Sequence, residues 1–211
     1  MGRVISVNVG HIFDADWAGR VKRTAIDKRP VAGRVPVHAL GVGDDEQADK
    51  DNHGGHDQAV YAYAREDLDW WIDQLQRELP PGTFGENLTL SGIDVNGALL
   101  GERWRVGGAL LEVTAPRVPC SVFRNWLDIP GWVKWFTEVE RTGAYLRVLE
   151  EGEVAAGDPA TVEHRPADSV TIVESFRAFH GDRALMRRIL ALPGHAADWD
   201  EIAERVLRDS A

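Results

Sequence analysis

The stretch Gly107-Gly-Ala-Leu-Leu-Glu-Val-Thr114-Ala-Pro-Arg117-Val-Pro-Cys120-Ser-Val-Phe123 changes character in mid-course, and the rest of the chain is organised around that change. Ala109 to Thr114 is apolar and reads as a strand. Prolines on both sides of Arg117-Val118 then remove two backbone donors and bias the residues before them towards extended conformations. The segment can therefore neither be helix nor pair fully as a central strand, and it is expected to hold a fixed, irregular shape. A helix is predicted to begin just after Cys120, where a helix N-terminus favours the thiolate. One corner would then present the Arg117 guanidinium and the Cys120 sulfur to one ligand. The competing reading, a cysteine that is only a small buried hydrophobe, needs the company of other motifs to be set aside.

Upstream, Thr83-Phe-Gly85-Glu86-Asn87-Leu88 follows a helix expected from Arg65 and ended by Pro80-Pro81-Gly82. Leu68, Trp71, Ile72, Leu75 and Leu79 make the apolar stripe of that helix, so Trp71 is read as core. Gly85 permits a tight turn, and Glu86 and Asn87 set a carboxylate and an amide at the mouth of a strand. Earlier still, an acidic loop runs into His53-Gly54-Gly55-His56-Asp57, where paired glycines indicate positive φ or close backbone approach. The two histidines match no standard metal-ligand spacing on a helix.

Further strands are expected at Arg3–Val9, 19–26, 35–42, 59–64, 99–106 and 143–149, with a closing hairpin from Gly152 to Val162. Lys22, in the second of these, is either a solvated charge or a ligand contact. Ser121–Leu127 and Gly131–Arg141 read as helices. After a linker at His164–Asp168, three short helices follow, with Ser169 and Asp182 as candidate N-caps for the first two. The division is thus 1–163 for a strand-rich domain and 168–211 for a helical extension. Three short helices bury little alone, so they are expected to pack on the first domain or on a second copy of the chain, which leaves a homodimer open.

Composition bounds the chemistry. With 24 Lys and Arg against 34 Asp and Glu, the net charge of −10 argues against nonspecific nucleic-acid binding. A phosphorylated small molecule needs only a local cluster of arginines and amides. One cysteine excludes an internal disulfide and a multi-cysteine metal site. No apolar run approaches the length of a transmembrane helix, so a soluble cytoplasmic protein is the expectation.

Taken together, Asp-x-His-Gly-Gly-x-Asp-Gln-Ala-Val-Tyr at 51–61, Phe-Gly-Glu-Asn-Leu at 84–88, Pro-Arg-x-Pro-Cys at 116–120 and Gly-x-Tyr-x-Arg-Val at 143–148 resemble, in order, the motifs of the MOSC domain, the family named after the C-terminal part of molybdenum cofactor sulfurases. His56 stands where relatives more often carry proline. The helical tail resembles the three-helix extension of the YiiM-type subgroup. The resemblance implies a mainly β (α+β) fold, a MOSC-type β-barrel with peripheral helices. It also implies the molybdenum cofactor (molybdopterin), reduction of N-hydroxylated compounds such as hydroxylaminopurines, and electrons from a separate reductase; pyridoxal phosphate binding is attached to the family only broadly. Carried onto this sequence, Cys120 becomes the catalytic protein ligand to molybdenum. Arg117 and Arg147, with amides near Gly54 and Gly55, would hold the pterin phosphate. Glu86, Asn87 and His53 would grip the pterin or relay protons. The alternative is a carrier, in which Cys120 holds a persulfide or anchors cofactor for delivery.

Overall fold

The computed structural model describes residues 2–49 and 54–208. His53, a candidate site residue, lies outside the described residues. Seven strands form a closed barrel: β1 (Gly2–Val9), β2 (Val60–Ala64), β3 (Leu88–Ser91), β4 (Arg103–Val106), β5 (Ala109–Pro116), β6 (Ala144–Glu150) and β7 (Pro159–His164). Their order around the barrel is β1-β7-β4-β5-β6-β2-β3 and back to β1, closed by Gly2 opposite Ala160. Only β2 and β3 run parallel, with Ala62 beside Leu88 and Ala64 beside Leu90. A parallel pair needs a crossover, which helix α1 (Arg65–Leu75) supplies. Full closure leaves the barrel without an exposed edge of its own.

Strand β2 shows how the molecule is layered. Val60, Ala62 and Ala64 point into the barrel, whose core includes Val4, Leu88, Leu90, Trp104, Leu111, Val113 and Leu146. Tyr61 and Tyr63, on the opposite face, enter a second core with Leu68, Trp71, Phe84, Phe123, Trp132 and Phe136. That outer core lies beneath α1, α2 (Ser121–Leu127) and α3 (Trp132–Val139). Ring pairs there meet mostly edge to face, as Tyr63 with Phe84 at 5.0 Å and Phe123 with Trp132 at 5.4 Å, the arrangement the ring quadrupoles favour. Trp71 is fully buried in this layer, as its place on the apolar stripe predicts.

Helices α4 (Ile172–Phe179), α5 (Arg183–Leu190) and α6 (Asp198–Leu207) form the tail. Ile172, Met186, Ile189 and Trp199 belong to the same apolar cluster as the barrel, so the tail packs on the barrel. Asp182 caps α5 by accepting from the amides of Ala184 and Leu185. Ser169 does not cap α4: its hydroxyl donates to Leu100 O at 2.7 Å, and Thr171 caps instead, in a capping box with Glu174.

Four expected elements are shorter or broken. Of 19–26 only Arg23–Thr24 is strand, because Lys22 adopts φ 58° and turns the chain. The segment from Val35 is a tight hairpin, with His38 opposite Gly41, rather than one strand. The strand expected from Leu99 starts at Arg103, after Gly101 at φ 82°. Helix α1 stops at Leu75, where Gln76 turns left-handed, although Leu79 is still buried. Among the described residues no helix is long and apolar enough to cross a membrane.

Candidate functional site

Strand β5 ends at Pro116, and the next residues run without regular structure to Cys120, the N-cap of α2. The cysteine holds extended angles (φ −109°, ψ 174°), and its sulfur accepts from Phe123 N at 3.5 Å. Cys120 is half-buried, whereas Arg117 is only 6% exposed. The guanidinium lies over the Phe123 ring at 4.2 Å and the Tyr61 ring at 5.1 Å, and donates from Nη1 to Phe84 O at 2.6 Å. Its Nε is buried with no hydrogen-bond acceptor, and no carboxylate pairs with it among the described residues. Burial works against this charge, but Tyr145, Tyr61 and Cys120 outweigh it and keep the guanidinium above its ordinary value. Burial likewise pushes the Tyr145 phenol up, and Arg117 pulls it back.

The turn before β3 forms the facing wall. Glu86 is fully buried, and its oxygens accept from Gly82 N (2.6 Å), Phe84 N (3.0 Å) and the Thr89 hydroxyl (2.9 Å). Burial raises its carboxyl above the usual range, against those bonds. Gly85 sits at φ 77°, a left-handed conformation that favours glycine, and its turn lies beside Arg117 Nη1. Asn87 accepts from Tyr61 N at 3.1 Å and donates to Asp45 Oδ2 at 2.9 Å. Asp45, its side chain 1% exposed, in turn pairs with the buried Lys28. Burial pulls the Lys28 ammonium down; Asp45 raises it, and the field of Arg117 lowers it further. Two buried cations thus share one corner, and Asp45 answers Lys28 alone.

The structure brings Arg117, Cys120 and the Glu86-Asn87 turn to this corner. Glu86 and Asn87 direct their polar atoms into the fold. Arg147 makes its contacts elsewhere: its Nε is 3.1 Å from Asp57 and 3.7 Å from Glu112, and Nη2 donates to Gly194 O at 3.2 Å. Gly54 and Gly55 take φ 93° and 79°, and a Cβ on Gly54 would stand 1.9 Å from Gln47 Oε1. Lys22 is exposed and donates to Asp16 O at 2.6 Å. Among the described residues no three His, Cys, Asp or Glu side chains gather as a metal-ligand set.

Reading the sequence missed Lys28, Asp45, Tyr61 and Tyr145. Tyr145 was findable, being two positions before Arg147 and so on the same face of one strand. Lys28 carries no such signal within its charged neighbourhood. A hollow of about 530 Å³, lined by residues including Asp67, Asn96 and Arg141, shares no residue with the corner. Its buried carboxylate is answered internally, Asp67 pairing with Arg141 and Asn96.

The MOSC domain model matches residues 49–161. A protein named YiiM from Escherichia coli is 31% identical over 191 residues, covering 87% of this chain and 84% of that protein. A protein named Reductase from Gibberella moniliformis is 31% identical over 173 residues, covering 78% of this chain but 30% of that longer protein. The crystal structure of YiiM from Geobacillus stearothermophilus superposes with a TM-score of 0.82 at 30% identity, covering 98% of this chain and 100% of that one. With a closed mixed barrel and its cysteine corner, the chain belongs to the MOSC domain family. Within that family, the helical tail and the full-length likeness make it a MOSC protein of the YiiM type.

Proposed function

We propose that the Cys120 corner binds the molybdenum cofactor and that the chain reduces N-hydroxylated compounds, hydroxylaminopurines among them, with electrons from a separate reductase. The observation that carries this reading is Arg117: a guanidinium 6% exposed, with a buried Nε that no acceptor among the described residues meets, beside the single cysteine of the chain. A buried donor left without an acceptor is costly, and an anionic group brought to the Nε supplies one. The phosphate of a pterin cofactor is such a group. A thiolate three residues away is a soft donor suited to a molybdenum centre.

In this reading Cys120 ligates the metal, while Arg117 and the amides around Gly54-Gly55 hold the phosphate. Removing oxygen from an N-hydroxyl takes two electrons and two protons and releases water, and the bound molybdenum centre supplies that oxygen-accepting redox chemistry. The protein's own share is to bind and orient. Tyr61, Phe123 and Phe84 keep water from the guanidinium, while Tyr145 and Cys120 beside it are half-buried. The name Reductase carried by a relative supports a redox role without fixing its substrate.

Molybdenum per chain, measured by elemental mass spectrometry on protein made in a cofactor-replete host, tests the assignment. Near-stoichiometric metal that disappears in Cys120→Ala is expected. Full metal in that variant would remove the cysteine from the ligand set. Metal absent from both proteins, with labile sulfur on Cys120, would establish the carrier instead.

A further inference from the structure

Asp57 lies in the short 3-10 turn His56–Gln58, just after Gly54-Gly55, and its polar atoms reach three separate parts of the chain. Oδ1 meets Arg147 Nε on β6 at 3.1 Å, and Oδ2 accepts from Ala197 N, at the start of α6, at 3.3 Å. Its carbonyl is 2.5 Å from the Thr114 hydroxyl on β5, and that hydroxyl is also 3.0 Å from Tyr145 O. Beside it, Gln58 Nε2 donates to Asp198 Oδ2 at 3.0 Å. Trp199, buried on α6, donates its indole N–H to Thr114 O at 3.1 Å. Thr114 is therefore gripped at hydroxyl and carbonyl by the loop and the tail together.

Thr114 lies three residues before Arg117, and its neighbour Ala115 pairs with Tyr145. Whatever fixes Thr114 fixes where β5 releases the chain towards Arg117 and Cys120. We propose that the C-terminal helices are a positioning part of the cysteine corner, with Asp57 and Trp199 as the residues that transmit the tail's position to Thr114 and so to Arg117. This rests on the reading of that corner as an anion site, and it gives the tail a role beyond covering the barrel.

The single cysteine makes the idea measurable without any cofactor, since each alkylation rate reports one sulfur. The ratio of the rate with anionic iodoacetate to that with neutral iodoacetamide reads the positive charge held near Cys120. In the wild-type protein this ratio is expected to exceed that of a cysteine-containing peptide by about fivefold. Arg117→Gln should return it to the peptide value. Trp199→Phe keeps an aromatic side chain but removes the indole N–H, and Asp57→Asn keeps the backbone contact but gives up the pairing with Arg147, a loss of negative charge that alone would raise the ratio. Each should lower the ratio by roughly twofold in protein that is still fully folded by its thermal melt. A ratio that falls with Arg117→Gln yet stays at the wild-type value in both other variants overturns the positioning role and leaves the anion site standing. A wild-type ratio no higher than the peptide's overturns the anion site, and the positioning role with it.

Discussion

Glu86 and Arg117 occupy facing walls of one corner, both buried and both ionisable, yet their polar atoms are used in opposite ways. The two oxygens of Glu86 accept three hydrogen bonds from its own turn and from Thr89. Arg117 donates to one carbonyl, rests on two aromatic rings and keeps a buried Nε without an acceptor among the described residues. A carboxylate whose lone pairs are occupied by the chain is a part of the fold. A guanidinium with a donor that no described residue meets is suited to binding an acceptor.

Substitutions can break that contrast, beginning with the largest effect. Glu86→Ala strands the Gly82 and Phe84 amides in the core and is expected to cost about 3 kcal/mol or more in urea unfolding. A loss below about 1 kcal/mol, together with lost molybdenum, would transfer Glu86 to the binding site. Arg117→Leu should leave stability within about 1 kcal/mol of wild type, because lost contacts to Phe84 O and the rings are offset by relieving the burial of a guanidinium whose Nε no described acceptor meets. Metal content should nevertheless collapse. If unfolding instead shows a fall of more than about 3 kcal/mol, Arg117 is as structural as Glu86.

The smallest effect sharpens the picture at the tail. The Leu192 carbonyl raises the His195 imidazole above its usual value against desolvation, and Asp200 adds to the rise while Arg147 opposes it. A histidine raised on folding contributes stability that is fully present below its unfolded value and is lost as pH rises through its folded one. The melting gap between wild type and His195→Gln should therefore be wider near pH 5.5 than near pH 8.5, by no more than about 0.5 kcal/mol. A gap that widens at the higher pH would mean that the neutral ring is the stabilising form.

The corner was legible in the sequence where covalent constraint dictates conformation. Pro116 and Pro119 forced the irregular passage to Cys120, and helix-forming residues after it placed the cap. The short strand expected at 59–64 forms at Val60–Ala64, but that Tyr61 and Tyr63 face an aromatic core depends on the helices that cover that side. Direction was harder to read. Nothing local to Glu86 says that its carboxylate turns back on Gly82 and Phe84, since an exposed turn would have the same composition. Lys28 and Asp45 are brought together across 17 positions by the folded connection between β1 and β2, which no local pattern announces. Ser169 and Thr171 are equally good caps by type, and only the docking of Ser169 on Leu100 decides between them.

Barrel closure also sets an order of events during synthesis. Strand β1 pairs with β3 and β7, and its contact between Gly2 and Ala160 joins positions 158 residues apart. At roughly 5–20 residues per second, the first strand emerges on the order of 8–30 s before its last neighbour. For that interval the edge of β1 that faces β7 stays open, the kind of segment that binds a chaperone or another nascent chain. The strand made first is the one completed last.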